Sequence, residues 1–289
     1  MNQHRKCLLC NSFKLVSLKG YEKNYLVKCK SCGFVFCFRV PTDEEISAHY
    51  NNYPIGYGGD SLITIKRINE VLDEFEQFRE INKMLDVGCG PGLFLIEAKK
   101  RGWEVYGTEY TDKQVEYLKA KGITTFKGKL NDKSFGDEKF DVIISSEVIE
   151  HINNPIEEIT NFYRLLRIGG LLYITTPNFN SIERLLLKGD YNIIEYPEHL
   201  CYYTPKTIDF LLSNNGFKKI KITTTGISIA QIKKSLLKKK NQKSNEIISD
   251  ENLRESLENG FNKWIKNTIN FLLNLFGIGN SLKAWYIKK

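Results

Sequence analysis

Between residues 83 and 225 the sequence alternates short apolar runs with amphipathic stretches, and this alternation constrains the fold more than any other feature. Lys83-Met84-Leu85-Asp86-Val87 reads as a strand that ends in Gly88-Cys89-Gly90-Pro91-Gly92 and passes into a helical pattern from Leu93 to Arg101. Strand-like segments recur at 103–108, 123–126, 140–145 and 170–176, with helical patterns at 112–120 and 154–167. A further strand at 217–224 follows a helix at 205–214, and 282–287 suits a last strand. Strands separated by helices pair in parallel, and the helices cover both faces of the sheet. The expected class is therefore α/β, a doubly wound, mostly parallel sheet. An amphipathic stretch from Leu62 to Phe78 precedes it.

The turn after the first strand carries chemistry. Glycines at 88, 90 and 92 let backbone approach a ligand at the carboxyl end of that strand. Glu109 ends the second strand, 17 residues after Gly92. An acid there can accept both hydroxyls of a ribose. The spacing G-x-G-x-G differs from the dinucleotide G-x-G-x-x-G, so a dinucleotide is not the expected ligand.

The first forty residues are different in kind. Cys7-Leu8-Leu9-Cys10 is followed, after 18 residues, by Cys29-Lys30-Ser31-Cys32. Two C-x-x-C pairs at this separation match a four-thiolate zinc ribbon, each pair on a tight turn. Gly33 suits the left-handed residue that closes such a turn, and Tyr25–Val27 and Phe34–Phe36 suit its two strands. With all four positions filled by protein, the expected Zn²⁺ is structural. Cys37, Cys89 and Cys201 read as packed thiols.

Asp86-Val87-Gly88-Cys89-Gly90-Pro91-Gly92, Glu109, Phe140-Asp141-Val142-Ile143 and Leu166-Arg167-Ile168-Gly169-Gly170 resemble the successive motifs of class I S-adenosylmethionine (SAM)-dependent methyltransferases. The resemblance covers about 83–225. It implies a Rossmann-like sheet of seven strands in the order 3-2-1-4-5-7-6. It also implies SAM contacts by Asp86, Gly88, Gly90 and Gly92 with the methionine part and by Glu109 with the ribose. Leu130 would then line the adenine and Ser145 would face the sulfonium side. Gly128-Lys129 stands where family members often have Gly-Asp.

Moving a methyl group to oxygen or carbon requires a base or a metal to manage the acceptor's proton. Glu147, Glu150 and His151 are spaced i, i+3 and i+4, so on one helical turn they would share a face. Two carboxylates and an imidazole suit Mg²⁺ or another divalent ion. The run resembles the E-x-x-E-H of metal-dependent ubiquinone-biosynthesis O-methyltransferases and small-RNA 2′-O-methyltransferases. The alternative is that Glu150 and His151 cap the helix or hold the strand end. His199, within Pro197–Thr204, is the second candidate, as general base or further metal ligand; a hydrogen-bonded structural role is its alternative. Thr204 before Pro205 reads as the N-cap of the next helix. His4 and His49 have no chemical surroundings.

The chain carries 42 Lys and Arg against 34 Asp and Glu, a formal charge of +8, and 42% hydrophobic residues. The composition excludes collagen-like and disordered classes. The basic excess concentrates at 1–40, where Glu22 is the one acid, and at 226–245, with Lys233, Lys234, Lys238, Lys239, Lys240 and Lys243 and no acid. Such patches suit phosphates, nucleic acid or anionic lipid, or simply solubility. The expected organisation is a ribbon at 1–40, a linker and N-terminal helix at 41–82, and the SAM-binding core at 83–225. A helical insertion or lid at 226–280 and a final core strand at 281–289 complete it. In the insertion, Phe261, Trp264, Ile265, Ile269, Leu272, Leu273 and Phe276 follow helical spacing, for core or dimer packing, a lid or a membrane surface. Pro41–Gly59, with Tyr50, Tyr53 and Tyr57, is a candidate pocket wall.

No apolar run is long enough to span a bilayer, and the amino end lacks a signal-peptide apolar stretch, so the expected location is the cytoplasm. A ribbon leading into this core resembles bacterial methyltransferases of surface-polysaccharide and secondary-metabolite pathways. That resemblance implies a small-molecule acceptor, a sugar or nucleotide-linked sugar methylated on oxygen, with keto-sugar C-methylation as a variant. The second reading is an RNA methyltransferase whose ribbon contacts phosphates. A homodimer is compatible with either.

Overall fold

The computed structural model describes residues 3–42, 44–46, 61–131, 133–227 and 260–289. The wall expected around Tyr50–Tyr57, His49 and the Lys-rich part of the insertion lie outside the described residues.

Seven strands form one mixed sheet: β4 (Lys83–Val87), β5 (Glu104–Glu109), β6 (Thr124–Lys127), β7 (Phe140–Ser146), β8 (Leu166–Pro177), β10 (Phe217–Thr225) and β11 (Ser281–Lys288). Their order is β10-β11-β8-β7-β4-β5-β6, the order expected of the class I fold. The pairs β4–β5, β4–β7, β5–β6 and β7–β8 are parallel. After β6 the chain returns to the other side of β4, so the carboxyl end of β4 is the topological switch point, where α/β sheets open a crevice for ligands.

The helices are α1 (Leu62–Phe75), α2 (Leu93–Lys100), α3 (Asp112–Ala120), α4 (Pro155–Leu165), α5 (Ile182–Leu187), α6 (Pro205–Ser213) and α7 (Gly260–Phe276). The amphipathic stretch at 62–78 is α1 followed by a 3₁₀ turn at Glu76–Phe78, and it buries Ile68, Leu72 and Phe75. One boundary moves: the helix expected over 154–167 ends at Leu165, and β8 begins at Leu166 instead of Gly170. Phe140 pairs with Leu166 before the register shifts. The side chain of Arg167 is drawn across to Asp141, with Nε donating to Oδ1 at 2.6 Å.

The chain divides into two compact units. One comprises 52–175, 209–221 and 284–289, and the other 1–51, 176–208 and 222–283. The core of the first gathers Leu72, Phe75, Met84, Leu95, Leu118, Val142, Ile144, Leu171 and Trp285. Asp141, fully buried, receives Arg167 together with the Ile81 N–H.

The second unit holds a small sheet of order β1-β2-β3-β9, made of β1 (Leu15–Ser17), β2 (Leu26–Cys29), β3 (Val35–Cys37) and β9 (Cys201–Tyr202). The ribbon residues therefore share a unit, and a core of Leu26, Val35, Cys37, Tyr191, Ile194, Leu200 and Tyr202, with a segment some 160 positions downstream. Thr204 caps α6 as expected, its Oγ1 accepting from Thr207 N at 3.3 Å. On α7, Leu273 is buried, while Trp264, Ile269, Leu272 and Phe276 are exposed. The helix docks through polar groups: Asn274 Oδ1 accepts from Thr224 N and Asn270 Oδ1 from Gly226 N, both at 2.9 Å. Core packing thus accounts for Leu273 and not for its neighbours. Among the described residues no helix is long and apolar enough to cross a membrane.

Candidate functional site

The β4–α2 turn is built from three left-handed glycines, Gly88, Gly90 and Gly92, with φ of 65°, 50° and 72°. Their neighbours differ. A Cβ on Gly88 would stand 2.7 Å from Val148 Cγ2, and one on Gly92 2.3 Å from Leu118 Cδ2, whereas one on Gly90 would meet nothing within 4 Å. Gly88 and Gly92 are thus required by packing, and Gly90 alone faces open space. Thr108, which the sequence reading missed, holds the turn from β5: its Oγ1 accepts from Gly88 N at 3.0 Å and its carbonyl from Cys89 N.

Glu109 completes this cradle. Its Oε2 accepts from Gly90 N at 3.1 Å, and Oε1 from the backbone N–H groups of Tyr110 and Thr111 at 2.8 and 3.0 Å. Asp86, on β4, is buried and receives no hydrogen bond among the described residues. Burial, reinforced by the Glu109 charge, pushes its carboxyl up to about 8. Ser145 sits beside Val87 in the β4–β7 register, fully buried, with its Oγ unpartnered. Buried polar groups are normally satisfied. The unpartnered Ser145 hydroxyl, the buried Asp86 carboxyl and an open Gly90 around the switch point therefore fit a polar, cationic ligand such as SAM. Leu130 is buried after β6, and the ammonium of Lys129 is paired with Glu157 at 3.4 Å. Glu158 on α4, also missed, is buried with Oε2 unpartnered, and burial raises it to about 7. An acid on a helix beside another acid, Glu157, gives no sequence signal of burial.

The 147–151 run does not form one helical face. Glu147 adopts a left-handed φ of 54°, and the 3₁₀ turn that follows spans only Ile149–His151. Glu147 N donates to Thr175 O at 2.9 Å and Thr175 Oγ1 donates to Glu147 Oε1 at 2.8 Å. Glu147 is therefore committed to β8, and among the described residues no trio of close ligand atoms joins it to Glu150 and His151. Glu150 is buried, with Oε1 4.0 Å from His151 Nε2.

His199 belongs to the second unit. Its N donates to Glu195 O at 2.8 Å, and its Nδ1 lies 2.8 Å from Ile193 O. A carbonyl can only accept, so Nδ1 carries a hydrogen.

The four cysteines of the ribbon converge. The sulfurs of Cys7, Cys10, Cys29 and Cys32 all lie within 4.8 Å of one another, with Cys7–Cys32 at 3.5 Å and Cys10–Cys29 at 3.6 Å. Tetrahedral Zn–S bonds of about 2.3 Å would separate sulfurs by about 3.8 Å, so the set fits the ion without rearrangement. Burial works against ionisation of Cys29, but the backbone N–H groups of Cys32 and Ser31 prevail and hold its thiol at about 6. Cys37, Cys89 and Cys201 are buried and stand apart from this set.

The family described as "Methyltransferase domain" matches residues 63–222. The ubiquinone biosynthesis O-methyltransferase of Rickettsia canadensis is 25% identical over 202 residues, covering 66% of this chain and 82% of that protein. The mitochondrial ubiquinone biosynthesis O-methyltransferase of Rattus norvegicus is 31% identical over 121 residues, covering 36% of this chain and 33% of that one. The chain thus spans only a third of the rat relative's length. Among solved structures, a SAM-dependent methyltransferase of Archaeoglobus fulgidus superposes with a TM-score of 0.55 at 20% identity, covering 83% of this chain and all of that one. One from Thermotoga maritima gives 0.51 at 16%, covering 85% and 99%. These likenesses carry the fold alone. The family match over more than half of the chain shows that it belongs to the methyltransferase-domain family, and the solved structures show that it has the fold of the SAM-dependent methyltransferases.

Proposed function

We propose that the enzyme transfers the SAM methyl group to an oxygen of a small molecule, with a sugar or nucleotide-linked sugar as the acceptor class. O-methylation is supported by relatives named as ubiquinone biosynthesis O-methyltransferases, together with the buried Glu150 beside His151 at the end of the 147–151 run. The sugar class rests on the resemblance of the ribbon-plus-core layout to polysaccharide-pathway methyltransferases and on basic residues suited to a diphosphate.

SAM supplies an electrophilic methyl on a sulfonium, and the protein contributes alignment and proton management. In this reading the Gly88–Gly92 turn receives the methionine part, with Asp86 opposite its ammonium and Ser145 toward the sulfonium side. Glu109 takes the ribose hydroxyls and Leu130 lines the adenine. His199 accepts the acceptor's proton at Nε2, the Nδ1–H bond to Ile193 O fixing that tautomer. Glu150 and His151 remain the candidate ligands for a divalent ion. Glu147 drops out of that set because Thr175 holds it. Zn²⁺ in the four-cysteine set has a structural role.

The purified chain is incubated with methyl-labelled SAM and either the small-metabolite pool or total RNA, with and without a chelator too weak to strip the ribbon. Label in the metabolite fraction supports the proposal, and its loss on chelation assigns a metal to Glu150 and His151. Chelator-insensitive label leaves His199 as the sole base. Label confined to RNA overturns the small-molecule reading in favour of the second one. An observation on that side is Phe13, 71% exposed on the ribbon with the Lys6 ammonium 4.9 Å from its ring centre.

A further inference from the structure

Cys37 is not one of the four converging cysteines, yet its backbone and thiol both connect the ribbon to the segment around His199. It closes β3, and its Sγ lies 3.2 Å from Asn24 O and 3.5 Å from His199 O. The same His199 carbonyl accepts from Tyr202 OH at 3.0 Å. Cys37 N donates to Leu200 O at 2.8 Å, and the antiparallel register continues with Phe36 opposite Cys201 and Val35 opposite Tyr202. The peptide groups around His199 are therefore gripped by β3.

The other end of β3 is the second cysteine turn. Cys29 is the last residue of β2, Gly33 N donates to Cys29 O at 2.9 Å, and Cys29 N donates to Phe34 O at 2.8 Å. The strands of this small sheet are two to four residues long, too short to hold register unaided. A bound ion that pins both cysteine turns turns binding free energy into order along the hairpin.

We propose that the four-thiolate centre is a positioning device for His199. Zn²⁺ held by Cys7, Cys10, Cys29 and Cys32 locks the β2–β3 hairpin, and β3 sets the backbone that carries the His199 ring, through its ladder to β9 and the Cys37 thiol. Cys37 is a positioning residue. The inference rests on the reading of His199 as acceptor base for its consequence in catalysis, but its structural content is tested without activity.

The test is amide hydrogen exchange on the full chain, zinc-loaded and after stripping by a strong chelator, alongside SAM titration. Stripping is expected to lower protection at Cys37, His199, Cys201 and Tyr202 by about tenfold or more. Protection of β4 and β7 and the SAM dissociation constant should stay within about twofold. In zinc-loaded Cys37→Ala, one zinc per chain is retained, His199 exchanges faster, and the ring nitrogen NMR signals move from the Nδ1–H form toward a tautomer mixture. Cys37→Ser, which keeps a donor, restores the wild-type signals. Unchanged protection at 199–202 after stripping overturns the proposal. So does collapse of β4 and β7 with it, because the ion would then be a general staple. Full activity of His199→Ala would sink the base role while leaving the exchange result standing.

Discussion

Gly90 N donates to Glu109 Oε2 at 3.1 Å, so the turn after β4 is pinned to the end of β5 by the carboxylate proposed to take the ribose hydroxyls. Ligand contact and loop geometry therefore share one side chain. In Glu109→Gln an amide nitrogen placed opposite Gly90 could not accept. A charged-acceptor hydrogen bond is worth about 1.5–3 kcal/mol, so SAM affinity is expected to fall at least about tenfold, measured by calorimetric titration. Unchanged affinity would remove Glu109 from the cofactor site.

Asp86 makes stability depend on pH. An unfolded aspartate titrates near about 3.9, whereas burial and Glu109 raise it to about 8 in the fold. A raised pKa favours the protonated form in the folded state. The contribution is therefore fully present below the unfolded pKa and is lost as pH rises through the folded one. Ligand-free protein should lose stability from this group across that window, and Asp86→Asn should flatten the slope. Urea midpoints at a series of pH values check it, and equal slopes in both proteins would count against a buried, titrating Asp86.

The glycines of the turn should separate by phenotype. Gly92→Ala places a methyl 2.3 Å from Leu118 in a left-handed conformation, and overpacking plus strain should cost about 2–4 kcal/mol of stability. Gly90→Ala meets no neighbour, so it should cost stability only about 1 kcal/mol while weakening SAM binding more than Gly92→Ala does. Thermal melts and SAM titrations on both variants decide. The reverse ranking would mean that Gly90 is not the residue facing the ligand.

Much of this protein was legible because its signals are local. The run Lys83–Val87 with Gly88, Gly90 and Gly92 behind it specifies strand, turn and helix within a dozen residues. The two C-x-x-C pairs likewise specify two turns. Strand order followed from the motifs of the class I resemblance.

What tertiary structure decided is of another kind. Which glycine stands open depends on Val148 and Leu118, side chains that arrive from distant elements. Glu147 leaves the helical pattern of Glu150 and His151 because its backbone and carboxylate are taken by Thr175, 28 residues on. The pairing of β3 with β9 joins positions more than 160 residues apart. Backbone ladders use groups every residue has, so such a pairing leaves no mark on the residues themselves, and only the folded chain shows that the ribbon grips His199.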